Sequence, residues 1–390
     1  MKMNNIYKGR CPEKYTNELI EMLDTVFFSN DPNNQKFMEL LPKLYKDKYS
    51  PAYNNVVVME GEEIKGAVGC YPLDAVVAGR KLRILGIGNV AVTEDCRGKG
   101  YMKDTMQMAL DIMKEEKFDY SLLGGQRQRY GFFGYEPIGL EYRFLIDKGN
   151  IRRILGEERN SAFTAREITE KDTDIIKKIK EIHETLPFYV ERKEEEYIDI
   201  MHSWNNIPYA AFEGDEFKGY FTLEKSGGRY LHEIRAVDIS DMLELILCAV
   251  DTGKLEGVAI NLPAFDTEYC DFMAKNCGGY SIGTPEMINI FNFRNYADAF
   301  LALKAQRMNL ASGTLKILVH GMNGDEFLEV TVDGKDVTVR EADGDADIEL
   351  SHRDAIVFFS GLYSKDRLNV PAFAQSWFPL DFFSYSLDNV

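Results

Sequence analysis

The feature that most constrains this chain is a junction. The apolar, β-forming run Lys81–Val92 ends in Val90-Ala91-Val92 and enters the polar loop Thr93-Glu94-Asp95-Cys96-Arg97-Gly98-Lys99-Gly100. From Tyr101 onward, Met102, Thr105/Met106, Ala109/Leu110 and Met113 recur at helical spacing. Phe118–Leu123 follows as a short buried strand closed by Gly124-Gly125. A strand that feeds a basic glycine loop, a helix and another strand belongs to a mixed α/β architecture. The loop also has a chemistry. Backbone N–H groups at a helix N-terminus form an anion cradle reinforced by the helix dipole. Gly98 and Gly100 let a diphosphate approach with no Cβ in the way, and Arg97 and Lys99 supply positive charge. Neither GxxxxGK[ST] nor GxGxxG occurs, so P-loop and Rossmann readings do not apply.

The remaining pattern fits this setting. Helical periodicity near Glu18–Phe28 and Lys36–Tyr45 precedes three strand-like runs, Asn55–Glu60, Ile64–Val77 and Lys81–Val92. Turns at Gly61-Glu62 and Gly79-Arg80 make these an antiparallel meander. From about residue 160 to 292 the chain alternates strands and helices, including a hairpin over Tyr209–Leu223 and a helix over Glu268–Asn276. The last hundred residues change to hairpins around Asn323-Gly324 and Asp333-Gly334, followed by a helix over His352–Gly361. Three domains are expected, at 1–148, 149–292 and 293–390, of α/β (mixed α+β) class.

Composition narrows the function. With 390 residues and 45% apolar content the chain can bury several cores, which excludes global disorder. A net charge of −17, from 46 basic and 63 acidic residues, speaks against broad nucleic-acid binding and would attract a cationic partner. No apolar run is long enough to insert in a membrane, and the polar first residues are unlike a signal peptide, so a cytoplasmic location is expected. Six scattered cysteines and five distant histidines show neither CxxC nor HExxH spacing, so no metal site is expected.

Strand, RGxG loop and helix together resemble the acetyl-CoA-binding motif of the Gcn5-related N-acetyltransferases. Further on, Arg129-Tyr130-Gly131-Phe132-Phe133-Gly134-Tyr135-Glu136-Pro137 contains a YGxFGY turn. In a chain of this length it is similar to the enhanced intracellular survival family of acetyltransferases. That resemblance implies two tandem acetyltransferase-like domains, the second degenerate, followed by a sterol-carrier-protein-like domain. It implies acetyl-CoA as co-substrate, with Val90, Ala91 and Val92 offering main-chain groups to the pantetheine and acetyl carbonyl. The diphosphate would be held by Arg97, Gly98, Lys99 and Gly100, with Tyr101 and Met102 at the helix start. Tyr130 would be the general acid toward the departing thiolate, and the C-terminal carboxylate, here Val390, the base. If the family's terminus matches Phe382 or Phe383, the extra residues displace that carboxylate; if the tail folds back, Val390 still arrives, and Asp388 is a stand-in. The resemblance also implies a homo-oligomer, with a hexamer as one form.

The leading expectation is thus an acetyl-CoA-dependent N-acetyltransferase acting on a cationic amine: an aminoglycoside-like molecule, a polyamine or a lysine. Phe27, Phe28, Asp31 and Phe37 would wall its pocket. The alternative is an apolar-ligand or lipid-binding protein, in which Val337, Val339, Ile348, Ile356, Val357 and Phe358 line a cavity of the last domain. A tandem acyltransferase taking aminoacyl-tRNA is disfavoured by the acidic charge. No second RGxG loop occurs, so one acetyl-CoA site per chain is expected.

Overall fold

The computed structural model describes residues 6–390, and the fold is mixed α/β. The chain divides into two compact units. The first holds residues up to Gly139, then Glu286–Phe382 and Val390; the second holds Leu140–Pro285 and Phe383–Asn389.

The main sheet of the first unit is built from β1 (Ile6–Arg10), β2 (Asn55–Glu60), β3 (Glu63–Val77), β4 (Arg80–Val92), β5 (Tyr120–Leu123), β6 (Glu136–Ile138) and β7 (Glu286–Ile290). Their order in space is β1-β2-β3-β4-β5-β7-β6. The meander expected over β2–β4 is antiparallel, and β4 and β5 run parallel across α2 (Tyr101–Glu115). Helix α1 (Thr16–Phe28) lies in the chain between β1 and β2. The apolar stripe of α2 is buried: Met106, Ala109, Leu110 and Met113 pack with Val68, Leu85 and Ile87. The helix expected over Lys36–Tyr45 is instead two single turns, Phe37–Leu40 and Pro42–Tyr45, because Pro42 cannot continue the first ladder. Residues 286–290, which the sequence groups with the middle segment, pair with both β5 and β6.

The unit's second sheet follows α4 (Phe293–Arg307). Here β8 (Gly313–Gly321), β9 (Gly324–Asp333) and β10 (Asp336–Glu341) form the hairpins expected at Asn323-Gly324 and Asp333-Gly334. Strand β11 (Ile348–Ser351) lies parallel to β8 and leads into α5 (His352–Ser360). Of the suggested cavity-lining residues, Val337, Ile356 and Phe358 are buried, with the Phe358 ring 4.6 Å from that of Phe378.

The second unit carries two four-stranded sheets and the helices Thr173–Glu184, Met242–Gly253 and Thr267–Asn276. In it the fully buried Arg192 side chain meets Asp388 through two 2.8 Å bonds and Glu233 at 2.9 Å. Burial would raise the Glu233 carboxyl, but the Arg192 guanidinium holds it at about 2. Among the described residues no helix is long and apolar enough to cross a membrane, and no cluster of three or more His, Cys, Asp or Glu could hold a metal.

Candidate active site

The site begins with a defect in β4. The β3–β4 register passes from Ala67–Ala91 to Gly69–Gly88, so β4 carries an extra residue. Asn89 absorbs it with φ +41, a left-handed conformation that Asn tolerates better than most residues. A polar network pins the bulge. Asn89 Oδ1 accepts from Tyr45 and Tyr71 hydroxyls at 2.8 and 3.0 Å, and its amide donates to Asn55 at 2.8 Å. On the other edge of β4, pairing with β5 runs only from Ile84–Tyr120 to Ile87–Leu123. Beyond Ile87 the two parallel strands no longer pair, which leaves the backbone of Val90-Ala91-Val92 unpaired on the β5 side. Val90 and Val92 are half-buried and Ala91 is buried.

Past Val92 the chain makes one short turn, Glu94–Cys96, and reaches the glycine loop. Gly98 and Gly100 have φ +83 and +88, and no atom lies within 4 Å of where their Cβ atoms would stand. Gly100 caps α2 with no side-chain acceptor, and the first helical bond is Asp104 N to Gly100 O. The N–H groups of Tyr101, Met102 and Lys103 therefore precede the ladder and point out of the helix start. This open cradle fits a diphosphate. The loop's cations differ from the simple expectation. Lys99 Nζ donates to Glu60 at 2.9 Å, and the Tyr101 hydroxyl donates to the same carboxylate at 2.5 Å. Tyr101 and then Lys99 hold Glu60 below the usual carboxylate range. Tyr101 thus offers its backbone, not its ring, and Arg97, largely exposed, is the loop's more available charge.

Tyr130 ends α3 (Arg127–Tyr130), a single turn after β5, and its side chain is buried. Burial pushes the phenol above its ordinary value, opposed by the Arg129 guanidinium beside it. It stays protonated at neutral pH and has a proton to give. Gly134, with φ +88, closes the turn that returns the chain to β6.

Val390 lies against β4. A Cβ on Gly88 would come 3.1 Å from the Val390 carboxyl carbon, and one on Gly86 would come 2.6 Å from its Cγ2. The same Gly88 position is 3.4 Å from the Tyr71 ring. The bare face of Gly86 and Gly88 is therefore what admits the last residue. Asp388 is no stand-in, because Arg192 occupies both its oxygens. Of the suggested pocket walls, Phe27, Phe28 and Phe37 form one aromatic cluster that continues from Phe37 to Tyr45 at 4.9 Å. Asp31 instead accepts from the Asn33 backbone in a surface turn. Sequence reasoning missed Gly86, Gly88, Asn89, Tyr71 and Glu60. The Gly86-Ile87-Gly88-Asn89 run inside a strand was the available signal, since glycines there mark close approach or a bulge.

A bulged β4 that parts from β5 hands over to an open glycine cradle at a helix start, a geometry that suits a phosphate-bearing co-substrate. In accord with this, residues 10–138 match the acetyltransferase (GNAT) domain family. The chain carries such a domain and is an acyltransferase. Known structures share the fold over the full length at low sequence identity. A GCN5-related N-acetyltransferase from Kribbella flavida aligns at 16% identity and TM-score 0.69, covering 100% of this chain and 99% of that one. One from Anabaena variabilis aligns at 13% and 0.70, covering 99% and 100%. Eis1 from Mycobacterium abscessus aligns at 12% and 0.64, with the same coverage. No curated protein matches the sequence.

Proposed function

We propose that this protein transfers the acetyl group of acetyl-CoA to a primary amine of a cationic small molecule, aminoglycoside- or polyamine-like, or to a lysine. The amine attacks the thioester directly. The observation that carries the reading is the Val390 carboxyl carbon beside Gly88, on the strand whose free edge runs into the glycine cradle. In this reading Val90, Ala91 and Val92 align the pantetheine, and main-chain N–H groups near Val92 stabilise the tetrahedral oxyanion. Arg97, Gly98, Lys99 and Gly100, with the N–H groups of Tyr101 and Met102, bind the diphosphate.

Proton transfer follows from ordinary acidities. An amine of lysine-like pKa is neutral in about one molecule in a few thousand at pH 7. The Val390 carboxylate is too weak a base to deprotonate it outright, so it accepts a hydrogen bond, relays the proton through water and concentrates the cation. Amines whose neighbours are also charged ionise less readily and suit the site better. Tyr130, a weaker acid than the thiol, hydrogen-bonds the sulfur as charge develops and the thiolate departs.

The proposal extends to the rest of the chain: a degenerate second acetyltransferase-like domain, a sterol-carrier-like C-terminal domain, a homo-oligomer and a cytoplasmic location. The test is thiol release from acetyl-CoA with spermine, kanamycin and a lysine peptide. Wild type is compared with Tyr130→Phe and a chain truncated after Phe383. Loss of rate in both variants is expected. A truncation as fast as wild type would place the base elsewhere, and acetyl-CoA binding without turnover of any amine would overturn the substrate class.

A further inference from the structure

The four-residue turn that carries Tyr130 is too short to hold its own shape, since a lone helical turn gains little for the backbone it orders. Its ties to other elements must fix the phenol. Arg127, which opens the turn, grips Glu136 of β6 with two 2.9 Å bonds. The Glu136 side chain is only 4% exposed, and its other partner is the Arg353 guanidinium, from the first turn of α5. A second line of contacts reaches the same loop. His352 Nδ1 accepts the Met322 N–H at 3.2 Å, so its Nε2–H donates to Asn289 Oδ1 at 2.7 Å. The Asn289 amide in turn donates to the carbonyl of Phe133 at 2.9 Å. Burial lowers the His352 imidazole to about 4, which keeps this tautomer neutral. Gly134 leaves room for the junction, because a Cβ there would come 2.6 Å from Met322 Sδ and 2.9 Å from Asn289 Nδ2.

We infer that the first turn of α5 braces the Tyr130 loop, and that Arg353 and His352 are positioning residues for the acyl-transfer step. The inference rests on the reading of Tyr130 as the hydrogen-bond donor to sulfur. Arg353 acts through Glu136 and Arg127 on the start of the turn, and His352 acts through Asn289 on its end. Neither contact involves the glycine cradle, so acetyl-CoA binding is not their business.

A double-mutant cycle tests this. Arg353 is largely exposed, so Arg353→Ala is expected to fold. It should lower kcat about tenfold, as a small misplacement of a reacting group does, with KM for acetyl-CoA within about twofold. In the Tyr130→Phe background the same change should cost less than about twofold, because two residues acting as a unit are not additive. Rates are followed with the fastest amine among spermine, kanamycin and the lysine peptide, or as acetyl-CoA hydrolysis if none is turned over. Additive losses, or an Arg353→Ala enzyme as fast as wild type beside a slow Tyr130→Phe, would overturn the brace alone. A Tyr130→Phe enzyme at full rate would overturn the role of Tyr130 and the brace with it. If Arg353→Ala lowers the melting temperature by several degrees, Arg353→Lys replaces it in the cycle. Lysine keeps a cation beside Glu136 and loses the guanidinium plane.

Discussion

At the scale of single residues, the site depends on atoms that are missing. Gly86 and Gly88 carry no special backbone conformation; they matter because Val390 occupies the space their side chains would fill. Gly86→Ala should therefore disturb the tail more than the strand. We expect kcat to fall about tenfold with acetyl-CoA affinity changed less than about threefold, measured by steady-state kinetics and calorimetry. An unchanged kcat would separate the Val390 carboxylate from the reaction. Tyr130→Phe should cost about ten- to a hundredfold in kcat if the phenol serves the leaving thiolate. The turn that carries Tyr130 was legible because YGFFGY is a compact local pattern. The Asn55–Asn89–Tyr71–Tyr45 network was not, since its members lie in four separate stretches and nothing local marks any of them.

At the scale of elements, strand, loop and helix were read close to their observed limits, because period two, glycine and period 3.6 follow one another without overlap. The charges of the loop were less legible: the pairing of Lys99 depends on Glu60, one strand and 39 positions away. This gives a prediction. Arg97→Ala should weaken acetyl-CoA binding about fivefold or more, and Lys99→Ala less, because Lys99 is already committed to Glu60. Equal losses would mean that Lys99 leaves Glu60 for the ligand. Gly98→Ala and Gly100→Ala meet no neighbour, yet each forces an alanine into the left-handed region at about 1–2 kcal/mol. The loop should relax out of shape and binding should weaken about tenfold, read by isothermal titration.

At the scale of the whole molecule, His183, His232 and His352 are each lowered to about 4, chiefly by burial. The unfolded chain takes up these protons near pH 6.5 and the folded one only near 4, so stability should fall as pH drops across that window. The Glu233 contribution is lost lower still, as pH falls toward about 2. Melting temperature followed from pH 7 to 4 should decline steadily, and a flat profile would show that the histidines are not buried neutral. The least legible feature at this scale is β7. Its five residues have ordinary strand character, but the partners Tyr120–Leu123 lie more than 160 positions earlier, and no local pattern points so far. That strand has a temporal consequence. Strands β5 and β6 are neighbours in sequence but not in the sheet, and only β7 joins them. A chain leaving the ribosome must make all of Leu140–Pro285 before the strand that closes its acetyltransferase sheet exists. At about 5–20 residues per second that is a wait of roughly seven to thirty seconds. Through that interval β5 keeps an open edge, so the catalytic half of this protein, although made first, is finished late.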